Sequence, residues 1–428
     1  MAVVFVPVAL VVLALLVGVH RYVWRRFVAD TTAPGGTLRR VGTAAVWLLP
    51  LLSVGALVSG WAGAPFWLQQ VLAWPGYLWL AALLYLTLAL LVGEAVRPVL
   101  RRTLVRRAGG GTAAENDSAE TVLSQVEVPA AENSPARAPV SGTPATLVAD
   151  APADPSRRLL VARAVGGAAA VAGLGTVGYG TYGVLCGPRV KQVTVPLAKL
   201  PRAAHGFRIA VVSDIHLGPI LGRAHTQRIV DTINRTQPDL IAVVGDLVDG
   251  SVADLGPAAE PLARLKARHG AFFVTGNHEY FSGAAQWVHH VRELGLHPLE
   301  NARVEIDGFD LAGVNDVAGR SDGQGPDFER ALGDRDRTRA SVLLAHQPVV
   351  IDDAVAYGVD LQLSGHTHGG QLWPGNYVAE LANPTVAGLE RYGDTQLYVS
   401  RGAGAWGPPV RVGAPSDITV VHLASRQA

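Results

Sequence analysis

Long apolar runs alternate with short polar segments in the first part of the chain. Residues 2–19, 43–60 and 71–93 contain no charged side chain. Each run is close to the roughly 20 residues that a helix needs to cross the hydrocarbon core of a bilayer, so the pattern predicts three membrane-spanning helices. A fourth run, 164–186, is long enough but rich in Gly and Ala. It is consistent with a fourth membrane helix or with a soluble Gly-rich linker.

The distribution of arginine predicts how these helices are oriented. Arginines follow the first and third runs and precede the fourth, whereas the loop 61–70 carries no charge. Because cytoplasmic flanks are enriched in Lys and Arg, the N-terminus, the loop and everything after Cys186 are expected outside the cytoplasm. Residues 156–160, Ser-Arg-Arg-Leu-Leu, also resemble a twin-arginine export signal. The arginines used here are Arg21, Arg25, Arg26, Arg39, Arg40, Arg97, Arg101, Arg102, Arg106, Arg107, Arg157, Arg158 and Arg163.

The pattern changes twice after the third run. Residues 109–156 are rich in Ala, Pro, Ser, Gly and Glu and contain no aromatic side chain, which predicts a disordered cytoplasmic linker. From about residue 207, short β-branched runs alternate with longer amphipathic segments, which is typical of an α/β domain. The predicted organisation is a transmembrane region with three helices (1–108), the linker (109–156), a fourth transmembrane helix or twin-arginine-like anchor (157–190) and an α/β domain (196–428).

Composition narrows the class of protein. Only 17% of the 428 residues are charged and 49% are apolar, which favours a membrane protein. The net charge of +1 argues against a strongly basic nucleic-acid binder, and no nucleic-acid partner is expected. Cys186 is the single cysteine, so the chain forms no internal disulfide and no cysteine-based zinc site. Any metal must be held by His, Asp, Glu or Asn.

Polar side chains with metal-ligand chemistry follow five predicted strands. In open α/β sheets the carboxyl ends of the strands bind ligands, and bare carboxylates and imidazoles gathered there would be costly without cations. The number of donors exceeds what one zinc-like ion takes and fits two ions that share a carboxylate. Residues two apart on an extended strand share a face, so the last two histidines are expected to serve one ion each. The residues are Asp214, His216, Asp246, Asp249, Asn277, His278, His346, His366 and His368.

These motifs, D-x-H, G-D-x-x-D, G-N-H-E, a lone His and G-H-T-H, resemble in type and order those of the calcineurin-like metallophosphoesterases. The ending G-H-T-H-G-G-Q is similar to a bacterial, membrane-anchored phosphodiesterase branch of that family. The resemblance covers about 205–425 and implies a four-layer α/β/β/α sandwich that carries two divalent metal ions. Mn, Fe and Zn all suit these ligands.

The resemblance also implies a role for each residue. Asp214, His216 and His368 hold the first metal, Asp246 bridges, and Asn277, His346 and His366 hold the second. His278 stabilises the transition state or protonates the leaving oxygen, with a structural supporting role as the alternative. Apart from the resemblance, Asp249 and Glu279 are expected to orient ligands or to pair with nearby side chains. The implied reaction is hydrolysis of a phosphodiester, pyrophosphate or monoester by a metal-bridging hydroxide. With the predicted membrane anchor, this favours a lipid-linked or wall-polymer substrate of the cell envelope.

Alternatives remain open at this point. A catalytically silent membrane sensor or scaffold would keep the fold, and a nuclease would share the chemistry but needs a basic stripe that the sequence lacks. Trp373, Tyr377, Tyr392 and Trp406 are consistent with a lipid or sugar groove or with ordinary core. Arg401 and Arg411 are candidates for phosphate contact or for solvated surface. The sequence does not indicate an oligomeric state.

Overall fold

The computed structural model describes residues 2–116 and 155–427. The helices are α1 (Ala2–Trp24), α2 (Thr37–Ser59), α3 (Phe66–Asn116), α4 (Pro155–Leu185), α5 (Arg223–Thr236), α6 (Val252–Ala259), α7 (Asn277–Ser282), α8 (Ala284–Glu293), α9 (Phe328–Leu332), α10 (Ile351–Ala356) and α11 (Gly375–Glu380). The strands are β1 (Arg189–Leu197), β2 (Arg208–Val212), β3 (Leu240–Val244), β4 (Ala271–Val274), β5 (His297–Pro298), β6 (Ala302–Ile306), β7 (Phe309–Gly313), β8 (Ala340–Leu344), β9 (Leu361–Ser364), β10 (Gly388–Tyr392), β11 (Thr395–Val399) and β12 (Asp417–Ser425).

The apolar runs form helices. In the described residues, three helical segments are long and apolar enough to cross a membrane: Thr37–Ser59, Phe66–Leu100 and Arg158–Leu185. The Gly-rich fourth run is therefore helical and apolar enough to span, which favours a membrane helix over a soluble linker. The first run lies in α1. Residues 117–154 of the predicted disordered linker lie outside the described part of the chain.

The chain divides into two compact units. The first comprises Met1–Val46 and Leu86–Gly173. Within it, Glu94 pairs with Arg26 at 2.9 Å and with Arg97 at 3.3 Å, so an acidic side chain beside an apolar run is neutralised. Trp24 Nε1 donates to Thr43 Oγ1 at 2.8 Å and ties α1 to α2.

The second unit comprises Trp47–Tyr85 and Leu174–Ala428. Its helical hairpin is held together where the Ser53 hydroxyl donates to the carbonyl of Gly76 at 2.7 Å. The hairpin also packs on the α/β domain, because Phe66 contacts the same apolar cluster as Ile229 and Trp287. This unit therefore contains residues of candidate membrane helices as well as the α/β domain.

Two sheets, each of six strands in the described residues, form the α/β domain. One has the order β1-β12-β2-β3-β4-β5 and the other β10-β11-β9-β8-β7-β6. β2, β3, β4 and β5 pair in parallel, as do β7, β8 and β9, whereas β12 runs antiparallel to β2. β1 pairs along its length with β12, so the sheet begins at Arg189, before the predicted domain boundary at 196.

Three clusters of buried apolar side chains hold the domain together. The sheets face each other across a cluster that includes Val211, Val244, Leu311 and Val342. A second cluster joins the first sheet to α5 and α8, with Ile229 and the fully buried Trp287 among its members. The third joins the second sheet to α9 and α10. The result is the four-layer α/β/β/α sandwich that the family resemblance implies.

Candidate metal centre

The predicted site residues come together at the carboxyl ends of five parallel strands. β2, β3 and β4 are neighbours in one sheet, and β8 and β9 are neighbours in the other. Each of these strands ends within a few residues of its predicted ligands. Residues that are more than 150 positions apart in the sequence therefore lie in one cluster. For example, the Nε2 atoms of His216 and His368 are 3.0 Å apart. All seven predicted ligands and His278 lie in this region.

The inner cluster consists of Asp214, His216 and His368. His368 Nε2 lies 3.3 Å from Asp214 Oδ1. His216 Nε2 lies 4.0 Å from the same carboxylate oxygen. One oxygen and two ring nitrogens therefore face a common point, with ligand atoms all within 4.8 Å of one another. All three residues are buried.

The outer cluster consists of Asn277, His346 and His366. His366 Nδ1 lies 3.0 Å from Asn277 Oδ1. His346 Nε2 lies 2.9 Å from Asp246 Oδ2, and the same oxygen is 3.9 Å from His216 Nε2. Asp246 thus stands between the two clusters, where a shared carboxylate would lie.

The backbone at these residues is unusual. Five of the eight non-glycine residues with positive φ in the described chain are Asp214 (52°), His216 (48°), Asp246 (52°), His366 (73°) and His368 (53°). Such conformations cost about 1–3 kcal/mol each and cluster at functional sites. The expectation that the paired histidines share the face of an extended strand is wrong, because His366 and His368 follow the end of β9. Left-handed turns, rather than strand alternation, direct them to the two clusters.

Two glycines make room for the carboxylates. A Cβ at Gly365 would lie 2.4 Å from Asp214 Oδ2, and one at Gly276 would lie 2.2 Å from Asp246 Oδ1. Any larger residue at these positions would displace the carboxylates. The glycines of the G-H-T-H and G-N-H-E motifs therefore leave space for the two aspartate side chains, in addition to permitting the turns.

The donor set fits divalent cations. His346 Nε2 is buried and faces the buried Asp246 Oδ2 at 2.9 Å. Burial raises the pKa of Asp214, and the neighbouring Asp246 charge adds to the increase. Two buried carboxylates, four imidazoles and one amide oxygen form a set that hard and borderline divalent ions bind. Positive charge between them would remove the cost of burying both carboxylates.

Asp249 and Glu279 support the two clusters. Asp249 Oδ1 lies 2.9 Å from His216 Nδ1 and 2.6 Å from His278 Nδ1, so one carboxylate orients both rings. Glu279 accepts from three main-chain amides, those of Asp246, Leu247 and Gly276, at 3.0, 2.8 and 2.6 Å. These contacts agree with the orienting roles expected from the sequence.

The pKa shifts follow from burial and from these carboxylates. Burial opposes protonation of His216, but Asp249, Asp246 and Asp214 outweigh it and raise its pKa to about 9. Burial lowers the pKa of His366 to about 4, with His346 as a further cause. Burial and then Asp246 raise the pKa of Glu279 to about 7. The site therefore holds strongly coupled charges in a small volume.

His278 lies at the mouth of the site. Its main-chain amide donates to Asp246 Oδ1 at 2.8 Å, and its ring is only partly buried. The ring stands edge-on to Phe281 and Trp406, with centroids 5.5 and 5.7 Å away. The imidazole is therefore fixed beside the clusters and reachable from solvent.

Arg411 was not identified as a buried residue from the sequence. Phosphate contact and solvated surface were the two expectations, but its side chain is 5% exposed. Its Nη1 donates to the carbonyl of His368 at 3.0 Å, and its Nη2 lies 3.0 Å from His368 Nδ1. Arg411 thus leaves Nε2 as the His368 nitrogen that faces the site. The sequence gives no spacing signal for this long-range contact.

The four aromatic residues considered from the sequence fall into two groups. Tyr392 packs against the core of the second sheet and its hydroxyl lies 2.7 Å from Thr385 Oγ1. Trp373, Tyr377 and Trp406 are about half exposed, so they are not ordinary core.

Comparison with known proteins gives a consistent result. Residues 207–370 match the family model described as calcineurin-like phosphoesterase, a family that uses a dinuclear metal site. The chain is 39% identical over 259 residues to a transmembrane protein with metallophosphoesterase domain from Danio rerio, covering 57% of this chain and 59% of that protein. It thus spans less than two thirds of the length of that relative.

A bacterial relative is covered almost completely. The chain is 32% identical over 285 residues to an uncharacterised metallophosphoesterase from Bacillus subtilis, covering 63% of this chain and 98% of that protein. Among solved structures, a dimetal phosphatase from Danio rerio is similar with a TM-score of 0.35 and 12% identity, over 51% of this chain and 93% of that one.

Proposed function

This chain belongs to the calcineurin-like metallophosphoesterase family, and from that premise we propose that it is a membrane-anchored hydrolase of phosphoric esters. The observation that carries the proposal is the convergence of two carboxylates, four imidazoles and one amide on two adjoining points. All seven residues that the family motifs imply are present, so a silent sensor or scaffold would have no need of this arrangement.

The inner cluster and Asp246 would hold one divalent cation, and the outer cluster and Asp246 would hold the other. When bound, such ions would supply Lewis acidity and lower the pKa of a coordinated water to about 7, so hydroxide would be available near neutral pH. The four imidazole ligands, His216, His346, His366 and His368, contribute no charge when neutral. The site would then remain cationic overall, which favours an anionic phosphate.

The remaining chemistry falls to His278. Its Nδ1 is engaged by Asp249, so Nε2 is the nitrogen free to face the substrate. A proton on Nε2 can be donated to the leaving oxygen, or can stabilise charge on the phosphoryl group. Asp249 keeps the ring in this orientation, and the same carboxylate links the ring to His216 in the inner cluster.

The substrate proposed is a phosphodiester, a pyrophosphate or a monoester of an envelope lipid or wall component. Support comes from the membrane helices of the second unit, which pack on the domain that carries the site. Mn, Fe and Zn are the candidate metals.

We place the catalytic domain outside the cytoplasm, since the arginine distribution predicts it. Cys186 offers a direct test because it is the single cysteine, is exposed and follows α4 immediately. A membrane-impermeant maleimide should label the chain in intact cells but not its Cys186→Ser control. Labelling only after the cells are opened would contradict this placement.

The activity is tested with the purified full chain in detergent, loaded with Mn²⁺, Fe²⁺ or Zn²⁺. Bis(4-nitrophenyl) phosphate, 4-nitrophenyl phosphate and a dialkyl diphosphate represent the three bond types. The chain should cleave at least one of them far faster than its Asp246→Asn variant does. Equal rates for both proteins would contradict the enzyme proposal and favour the sensor or scaffold.

A further inference from the structure

The mouth of the site is surrounded by exposed apolar side chains. Phe281, whose ring contacts His278, is 61% exposed, and Trp406 on the other side is 57% exposed. Phe281 also contacts the ring of Trp61, with centroids 6.4 Å apart. Trp61 lies in the loop between α2 and α3 and is 84% exposed. The apolar border therefore runs from the catalytic histidine to the membrane hairpin.

The border continues from Trp406 along a second segment. The Gln371 side-chain amide exchanges two hydrogen bonds with the main chain of Trp406, at 2.9 and 3.0 Å. Trp373, Val378 and Leu381 follow, with 49%, 69% and 88% of their surfaces exposed. α11, which lies in this segment, has no buried residue. Apolar surface of this kind is rarely left facing water.

The position of this segment relative to α3 identifies its surroundings. The hydroxyl of Tyr85 donates to the carbonyl of Trp373 at 2.9 Å. Tyr85 stands 14 positions after residue 71 and 8 before residue 93, inside an uncharged run. Trp373 therefore lies beside the apolar run of α3, a helix that is long and apolar enough to span a membrane.

The hairpin itself has the surface of a lipid-exposed helix. Trp67, Val71 and Trp74 of α3 are 64%, 62% and 39% exposed. The apolar border of the site is continuous with this surface through Trp61. A soluble protein partner would have to cover the exposed apolar surface of α3 as well as the apolar border of the site. A bilayer would cover both surfaces at once.

From these contacts we propose that the border, called here the lipid rim, inserts into the membrane and that the site takes phosphoesters whose apolar chains remain in the bilayer. The lipid rim consists of Trp61, Phe281, Trp373, Val378, Leu381 and Trp406. This inference rests on the proposed function and selects lipid over wall polymer. The substrate reaches His278 laterally, with its phosphate drawn to the clusters and its chains against the rim.

The activity test compares lipids with water-soluble counterparts, called chain-free here because they lack the long apolar chains, using the full chain in phosphatidylcholine nanodiscs. The pairs are phosphatidic acid and glycerol 3-phosphate, phosphatidylglycerol and glycerophosphoglycerol, and a polyprenyl diphosphate and isopentenyl diphosphate. The double variant Val378→Glu, Leu381→Glu perturbs the rim without touching the site. A matched control, Val355→Glu, Leu389→Glu, places two charges at exposed apolar positions of α10 and β10.

Wild type and control should cleave at least one lipid more than tenfold faster, in kcat/KM, than its chain-free counterpart. The rim variant should lose at least tenfold on that lipid and stay within twofold on bis(4-nitrophenyl) phosphate. Two results would contradict the proposed role of the lipid rim without contradicting the proposed function. One is an equal loss of kcat/KM in the rim variant and the control, and the other is a wild-type preference for the chain-free member of each pair. Failure of wild type on every ester, bis(4-nitrophenyl) phosphate included, would instead overturn the proposed function.

A second measurement tests insertion without activity. In a Cys186→Ser background, a bimane label on a Leu381→Cys variant should be quenched at least twofold more by brominated acyl chains than the same label on a Val355→Cys variant. Equal quenching at both positions would overturn the insertion, whatever the kinetics show.

Discussion

The inner and outer clusters of the candidate metal centre use similar ligands in different surroundings. Asp214, His216 and His368 of the inner cluster are all buried, whereas the outer cluster combines the buried His346 with Asn277 and His366, which are partly exposed. Asp249 and Arg411 fix the inner histidines from behind. The comparison indicates that the inner cluster is the buried, more rigidly oriented part of the centre. The outer cluster is the part that substrate and solvent reach.

The largest effect is expected where the two clusters meet. Asp246→Asn removes the shared carboxylate and should lower kcat/KM about a thousandfold or more, because bound metals supply several kcal/mol of transition-state stabilisation. Metal content should fall at the same time. Asp394→Asn, at a fully exposed aspartate, is the matched control. If the Asp246 variant kept both metals and its activity, the clusters would not share a ligand.

His278→Gln tests the open side of the centre. Loss of a positioned proton donor typically lowers the rate 10²–10⁴-fold, and we expect a decrease of about a hundredfold in kcat. Metal content should remain that of wild type. His289→Gln on α8 controls for the substitution, since His289 is 71% exposed in its side chain. If the His278→Gln variant lost metal in proportion to its loss of activity, His278 would be a metal ligand rather than a proton donor.

Asp249→Asn tests the support of the inner cluster. Because one carboxylate orients both His216 and His278, its neutralisation should weaken metal affinity by about 10–100-fold. Activity should recover partly when the metal concentration is raised, which separates this role from that of His278. Unchanged affinity, measured by competition with a chelator, would show that Asp249 does not support the inner cluster.

The smallest effect concerns acid stability near the inner cluster. Burial, with the charges of Arg228 and Arg411, lowers the pKa of His225 to about 3, against about 6.5 when unfolded. The unfolded chain therefore binds more protons between pH 3 and 6.5, and stability should fall as the pH falls through that window. At pH 5 the loss is about 2 kcal/mol.

Chelator-treated wild type and His225→Gln, unfolded in detergent at pH 7.5 and 5, provide the measurement. The free energy of unfolding should fall more in wild type than in the variant, which isolates His225 from the other titrating groups. Identical pH dependence in the two proteins would show that His225 is not held neutral.

The same contrast explains what sequence could and could not predict. Ligands carried by short motifs at strand ends, such as Asp246 and His346, follow from topology, because parallel strands deliver their ends to one edge. Helix α5 is one of the amphipathic segments that alternate with the predicted strands, so its presence also follows from the local pattern. Arg411 could not be predicted, because its contact with His368 joins two irregular loops. The left-handed turns at His366 and His368 likewise depend on tertiary contacts rather than on local propensity.

The hairpin provides a second example. Length and apolarity make α2 and α3 candidate membrane helices, but nothing in that composition indicates that Phe66 and Tyr85 contact the α/β domain. Such contacts depend on how the α/β domain, which follows α4 in the chain, packs against the hairpin. The local sequence pattern does not encode this packing.

The central claim is tested most directly by counting ions. Purified full chain, reconstituted with Mn²⁺ and freed of excess metal, should contain two ions per chain by elemental analysis. The outer-cluster variant His366→Ala should contain one, because the inner cluster remains complete. A wild-type value of one or none in protein that is folded and metal-saturated would contradict a two-metal centre.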